Sequence, residues 1–331
     1  MKYYLSKIGY FLLTVWAAIT LNFLIPRMQP GDPAEVMVRR LTSKTGNMEL
    51  DQNQVTAVRA MLGSPEGNLW TQYWHYLTEL AQGHLGVSFT YYPFPVVEVI
   101  GNALPWTIGL IGVTQIIAFV VGVLLGAFAA WRRNSAFDSI VSIGSTFVGN
   151  LQSFWIGLLI LLLFAYQLGW FPTAGGYGGY TSPGWNPLFV ADVIAHAFLP
   201  ALTLLITAPI GFILGMRNTM VQTLGEDYIR LAQAQGLSDR TVALSYGARN
   251  ALLPSITSFA ISLGALIGGS VLIEDLYDYP GMGRLLAEAT ANRDFPLMQA
   301  VLLFMIMAVL IANLAADLLY GVLDPRARKA A

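Results

Sequence analysis

Residues 139–168 carry no charged side chain. As a single α-helix this stretch would measure about 45 Å at 1.5 Å per residue, against about 30 Å for the hydrocarbon core of a bilayer. Asn150, Gln152 and Ser153 fall in its middle, so a span built from it is tilted or broken there. Further apolar runs recur at 8–25, 102–131, 196–216, 255–273 and 297–320, separated by polar segments. With 55% hydrophobic and 11% charged residues, a chain of 331 residues is too apolar for a water-soluble protein. The expected fold is an all-α polytopic membrane protein with six transmembrane helices.

The basic residues orient these spans. Lys2, Lys7, Arg132, Arg133, Arg217, Arg230, Arg240, Arg249, Arg326, Arg328 and Lys329 fall on one side if the N-terminus is cytoplasmic, which places eleven of the eighteen basic residues inside. The two short outer segments then hold only Arg284 and Arg293. The first span leads into a long polar segment and has no small-residue cleavage site, so it reads as retained rather than as a signal peptide. Asn102 and Pro105 read as the start of the second helix, and Pro200 and Pro209 as kinks in the fourth. Residues 55–62 and 70–80 show apolar side chains at helical spacing, which predicts helices lying on the membrane surface or on the rest of the protein.

One polar island, residues 217–254, is tethered to membrane at both ends. Glu226 and Asp227 place negative charge where a helix over 227–235 would begin, and Gly236 stands where a left-handed residue would end it. Leu237 folds back on the last turn, and Ser238 caps a second helix through Val242, Tyr246 and Arg249 that Pro254 stops. The expectation is a helix–glycine–helix hook on a membrane surface. Tyr228, Ile229 and Ala232 would share its apolar edge, with Arg230 and Gln233 pointing elsewhere, and a small residue at 232 would let the edge sit deep in a groove.

Within the hook, DYIRLAQAQGL at 227–237 and RNALLP at 249–254 resemble DYIRTARAKGL and RNALLP in the permeases of ABC importers of the dipeptide/oligopeptide/nickel family. Arg230-Leu231-Ala232 stands in place of the general EAA triplet, and the glycine is kept. Further motifs follow in the family's order. They are PGDP at 30–33, GHLGVS at 83–88, GWFPTAG at 169–175, YPGMGRLL at 279–286, NRDFP at 292–296 and LDPR at 323–326. His84 stands where the family commonly has aspartate, and residues 34–60 match least.

The resemblance, to the B-type subunit, implies a first helix over 1–26, an external loop with short amphipathic helices over 27–102 and a permease core of five helices over 103–331. It also implies a coupling loop over 217–254, where Asp227, Tyr228, Ile229, Arg230, Ala232, Gly236 and Leu237 meet a separate ATPase. The implied partners are a homologous C-type permease, two cytoplasmic ABC ATPase subunits, an extracytoplasmic solute-binding protein and the lipid bilayer. The location is a bacterial or archaeal cytoplasmic membrane, with both termini cytoplasmic. Family cargoes are di- and oligopeptides, oligosaccharides and nickel complexes, with peptides the first choice. Tyr91, Tyr92, Tyr177, Tyr180 and Trp185 in the outer loops suit sugar stacking or, more simply, a membrane interface.

The residues point the same way by what they lack. No phosphate-binding Gly-x-x-x-x-Gly-Lys-Ser/Thr loop occurs, so ATP would be used by partners, and no cofactor is expected on this chain. Cysteine is absent, which excludes disulfides and thiolate sites. His75, His84 and His196 have no metal-ligand spacing, and a net charge of −1 gives no sign of a nucleic-acid partner. An intramembrane enzyme would need paired catalytic groups that the spans do not offer, so the chain is read as non-catalytic. A self-sufficient secondary transporter or channel would need buried charge pairs or inverted repeats, and Asp317 is the lone acid within a span. For Asp317 a substrate role and a structural hydrogen bond stay open. Asn150, Gln152 and Ser153 either border a translocation path or bond between helices. Gly122/Gly126, Gly211/Gly215 and Gly264/Gly268 each permit close helix packing.

Overall fold

A computed structural model describes residues 2–27, 38, 56, 68–179, 181–268 and 271–323, with side chains over 8–24, 38, 56, 68–179, 181–262 and 271–315. The PGDP motif, residues 324–326 of LDPR, almost all of 34–60, the side chain of Asp317 and the surroundings of Gly264 and Gly268 lie outside that description. The helices in order are α1 (Lys2–Arg27), α2 (Leu69–Ala81), α3 (Val96–Trp131), α4 (Ala136–Gly149), α5 (Ser153–Gln167, its second half π-helical), α6 (Pro187–Thr207) and α7 (Pro209–Thr223). After these come α8 (Asp227–Ala234), α9 (Arg249–Gly268), α10 (Val271–Leu276), α11 (Met282–Ala291) and α12 (Phe295–Leu323). Among the described residues the β contacts amount to one antiparallel bridge, Val87 to Pro95. The chain is an all-α polytopic membrane protein.

Local chemistry sets the helix starts. Asn68, Ser135 and Asn186 each accept a hydrogen bond from a backbone N–H of the first turn of α2, α4 and α6. Asp294 does the same for α12 through Leu297 N, at 3.2 Å. Among the described residues three helical stretches, Val96–Trp131, Pro187–Thr223 (α6 and α7 together) and Phe295–Ala315, are long and apolar enough to cross a bilayer. The uncharged stretch breaks as its polar trio suggests: α4 and α5 meet at 94°. Between α6 and α7 the break is the single residue Ala208, ahead of Pro209.

Two prolines read as helix boundaries lie inside helices. The second helix begins at Val96, after Pro95, and passes through Asn102 and Pro105, because Val96 and Ile100 are buried against Met282, Leu297 and Val301 and that packing outweighs one lost backbone bond. Pro254 lies within α9, where Ala251 and Ser255 are buried and Ser255 Oγ approaches Met216 Sδ at 3.7 Å. Met216 and Met220 are in turn buried against Ala243 and Ala251, which carries α7 on to Thr223. The hook is therefore shorter than 217–254 and spans about 224–248.

Glycines bring α3 and α7 into backbone contact. A Cβ at Gly122 would come within 2.6 Å of Phe212 Cβ, and one at Gly126 would strike the Ile213 carbonyl. Gly211 and Gly215, by contrast, have nothing within 4 Å of such an atom among the described residues.

The motifs at 83–88 and 292–296 meet in space. Asp294, fully buried, accepts from Ser88 Oγ at 2.5 Å and Thr90 N at 2.8 Å, and Gly86 lies against Pro296. Beside them Tyr91 Oη donates to Glu288 at 2.7 Å, and burial together with that carboxylate pushes the Tyr91 phenol well up from its ordinary value. His84 stays exposed, with Glu79 at 3.4 Å, so the departure from the motif lies outside these buried contacts. In YPGMGRLL, Gly281 and Gly283 close over the buried Glu274, which accepts from Thr107 Oγ1 at 2.9 Å and Gly283 N at 2.6 Å.

Candidate functional site

The hook is a small folded unit with its own core. After α7, Gly225 N–H bonds Gln222 O and Glu226 N–H bonds Thr223 O, which turns the chain into α8. At the far end of α8, Gly236 adopts φ +80°, Gly236 N–H bonds Gln233 O at 2.9 Å and Leu237 N–H bonds Ala232 O at 3.3 Å. This pair of bonds is the Schellman closure, and it is why a glycine stands there. Ser238 then caps the next turn by accepting from Thr241 N at 3.3 Å, and a π-helical segment, Val242–Ala248, leads into α9. A Cβ at Gly247 would meet Leu224 Cδ2 at 2.9 Å, so the absence of a side chain lets the returning segment close on the end of α7.

The faces of α8 differ from the expected arrangement. Ile229 and Ala232, 1% and 4% exposed, point inward against Val242, Leu224 and Leu237. Tyr228 does not share that edge: it is 41% exposed, and its Oη accepts from Asn250 Nδ2 at 3.0 Å. The outward edge is Tyr228, Leu231 and Gln235, with Leu231 60% exposed. The reason is spacing. On a two-turn helix the returning chain buries the i, i+3 pair at 229 and 232, and residues 228, 231 and 235 lie on the neighbouring face. Asp227 and Arg230 form an exposed pair at 3.6 Å, which contributes little to stability. Leu244 and Tyr246 on the returning segment are also exposed.

Asn150, Gln152 and Ser153 are not at the hook. They form the corner between α4 and α5, where Asn150 Nδ2 donates to its own helix at Thr146 O, 2.6 Å away, and Gln152 is exposed. Two contacts nevertheless link corner and hook through α4 and α7. Near the hook, Arg217 on α7 grips Asp138 at the start of α4, with Nε to Oδ1 at 2.5 Å and Nη2 to Oδ2 at 2.9 Å. Near the corner, Gly149 at the end of α4 lies against Ile210 at the start of α7. The two helices therefore run side by side in opposite directions. In the sequence Arg217 stands out only as one of the basic residues of the inner side, and Asp138, 79 positions away, carries no mark of the pairing.

Residues 122–329 match the family model described as binding-protein-dependent transport system inner membrane component. The chain belongs to that family. This inner membrane component is 34% identical to the oligopeptide transport system permease protein AppB of Bacillus subtilis, over 92% of each chain. It is 33% identical to the di/tripeptide transport system permease protein DppB of Pseudomonas aeruginosa, over 99% of each. Against the glutathione transport system permease protein GsiC of Escherichia coli, strain K12, identity is 31% over 99% of each. The family model covers every element from the α3–α7 glycine contact through the hook to α12, so the site described here lies within the shared part of the chain.

Proposed function

We propose that this chain is the B-type permease subunit of an ATP-driven importer of di- or oligopeptides. The observation that carries the reading is the hook: a self-supported unit whose core is its own and whose outer edge, Tyr228 and Leu231, is left exposed. Such an edge suits insertion into a groove of a separate ATPase, with Asp227, Arg230 and Gly236 at its rim and Ile229, Ala232 and Leu237 holding it in shape. ATP binds and is split on two such ATPase subunits, and this chain has no catalytic role and binds no cofactor. A C-type permease completes the path, and a solute-binding protein delivers cargo from outside. Peptide is the favoured cargo because relatives covering the whole chain are named for oligopeptide, di/tripeptide and glutathione transport.

In this reading α1, α3, the bent α4–α5 pair, α6–α7, α9 and α12 are the six crossings, with both termini and the hook in the cytoplasm of a bacterial or archaeal cell. Closure of the ATPases pushes the hook. Movement passes along α7 and α4 to the corner at Asn150, Gln152 and Ser153, which borders the path. The test is uptake of labelled tripeptide, oligosaccharide and nickel by proteoliposomes holding the assembled importer. The expected result is accumulation of peptide that needs both ATP and the binding protein. Uptake driven by an ion gradient without the ATPases would overturn the reading.

A further inference from the structure

The apolar arc of α2 is wider than the surface it packs on. At about 100° per residue, Tyr76, Leu80, Tyr73, Leu77, Trp70 and Trp74 fan across one side of this helix, with Thr71, His75 and Glu79 on the other. One part of the arc is docked. Tyr73 is buried, its Oη lies 2.7 Å from Thr20 Oγ1, and the rings of Tyr73 and Tyr76 pack on Phe23 with centroids at 5.1 and 5.5 Å. The remaining flank projects past the protein: Trp70 is 70% exposed and Trp74 62%.

The height of α2 follows from its anchors. Thr20, Asn22 and Phe23 occupy the last turns of α1, which ends at Arg27, and Asn22 Nδ2 donates to Gln299 O at 2.8 Å, one turn into α12. The helix therefore lies where one membrane helix leaves the apolar layer and another enters it. Beside it on α1, Leu21 and Leu24 are exposed at 57% and 39%, continuing the apolar surface that Leu13 and Trp16 begin. Tryptophan has a large apolar ring with one donor, and it is enriched where hydrocarbon meets headgroups.

We propose that α2 is an interfacial helix, with Trp70 and Trp74 inserted at the headgroup boundary of the bilayer and Thr71, His75 and Glu79 turned to water. Lipid, rather than a protein, is the occupant because the exposed flank is continuous with the exposed apolar surface of α1. The helix has no lysine or arginine, so contact comes from ring insertion and from the anchoring on α1 and α12, and anionic lipid is not required. The proposal does not depend on the cargo or on the ATPase contact.

The native chain has no cysteine, so a single nitroxide can be placed at will. Labels at 70, 74, 75 and 84 are compared in the assembled importer in vesicles of phosphatidylethanolamine, with and without phosphatidylglycerol. The expected result is severalfold more collision with oxygen than with a water-soluble nickel chelate at 70 and 74, the reverse at 75 and 84, and no dependence on phosphatidylglycerol. Nickel access at 70 and 74 equal to that at 84 would place the flank in water and overturn the proposal. Protection from both reagents would mean that a protein covers it, which overturns the proposal equally. If a label at 70 or 74 blocks assembly, quenching by bromine-bearing acyl chains is measured in the native protein and in W70F/W74F. A smaller quenched fraction in the variant supports the proposal, and an unchanged fraction overturns it.

Discussion

Arg217 holds Asp138 through two parallel hydrogen bonds, at 2.5 and 2.9 Å, and so joins the helix that enters the hook to the helix that ends at the corner. The carboxylate is otherwise met by Asn134 N–H at 3.0 Å and Ser142 Oγ at 3.2 Å, and its side chain is only 5% exposed. A planar guanidinium matched to both oxygens fixes orientation as well as distance, which suits a joint that must pass on movement.

Asp138→Asn keeps the shape but removes the charge facing Arg217. The expected cost is on the order of 3 kcal/mol, the low end for a broken buried pair because Arg217 keeps 23% exposure. If α4 and α7 act as one strut, the variant importer should still co-purify with its ATPases and hydrolyse ATP at the basal rate, and lose most of the stimulation by loaded binding protein. Normal stimulation in D138N would show that the joint is not part of coupling. Arg217→Lys, a point charge without the fork, should fall between the two.

Two neighbouring residues on α8 separate the folding of the hook from its docking. Ala232 is inside the hook core, so Ala232→Glu drives a carboxylate among Ile229, Val242 and Leu237 and should unfold the hook, leaving it open to limited proteolysis. Leu231 is outside, so Leu231→Glu should leave the protease pattern native while co-purification of the ATPases falls at least about tenfold, the equivalent of 1.4 kcal/mol. ATPase retention by Leu231→Glu at the native level would rule out this edge as the contact.

At Gly236 the demand is conformational, because a Cβ there would have no neighbour within 4 Å. Gly236→Ala should cost about 1 kcal/mol through the positive φ, and Gly236→Asn, which tolerates that region, only a fraction of it. Thermal denaturation of the purified importer, followed by protease cleavage within the hook, would rank the three. A loss of ATPase binding in Gly236→Asn with the hook intact would mean that the partner also reads this position directly.

What the sequence made legible was chiefly local. The closure at Gly236 follows from an amphipathic turn before a glycine, and the corner from three polar residues in an uncharged run. Non-local pairings were hidden. Ser88 and Asp294 belong to two motifs that can each be picked out, but their meeting across 206 positions is a property of packing. Asp138 gave no signal because its partner is 79 positions away. The prolines at 105 and 254 misled because local backbone preference was set against burial of Val96, Ile100 and Ala251, and burial won. For Ile229 and Ala232 the pattern gave the right apolar pair, but not that the chain itself would cover it.

The proposed six-crossing arrangement would place α2 and the hook on opposite sides of the membrane. Gln82, at the end of α2, and Ser238, at the turn of the hook, are both exposed, and the chain supplies no competing thiol. Single cysteines at these positions leave the buried contacts untouched, and Ser238→Cys gives up only the exposed cap on Thr241 N. In intact cells an impermeant maleimide should label Gln82→Cys at once, and Ser238→Cys only after permeabilisation. The basic residues support that outcome, since Arg230, Arg240 and Arg249 cluster around Ser238, whereas α2 has no lysine or arginine. Labelling of both positions from outside would require an even number of crossings between them, either through the loss of a different span or through a bent α4–α5 pair that enters and leaves on the same face. The second possibility has its own signature, because a cysteine at exposed Trp170, just beyond α5, would then be labelled from the cytoplasmic side.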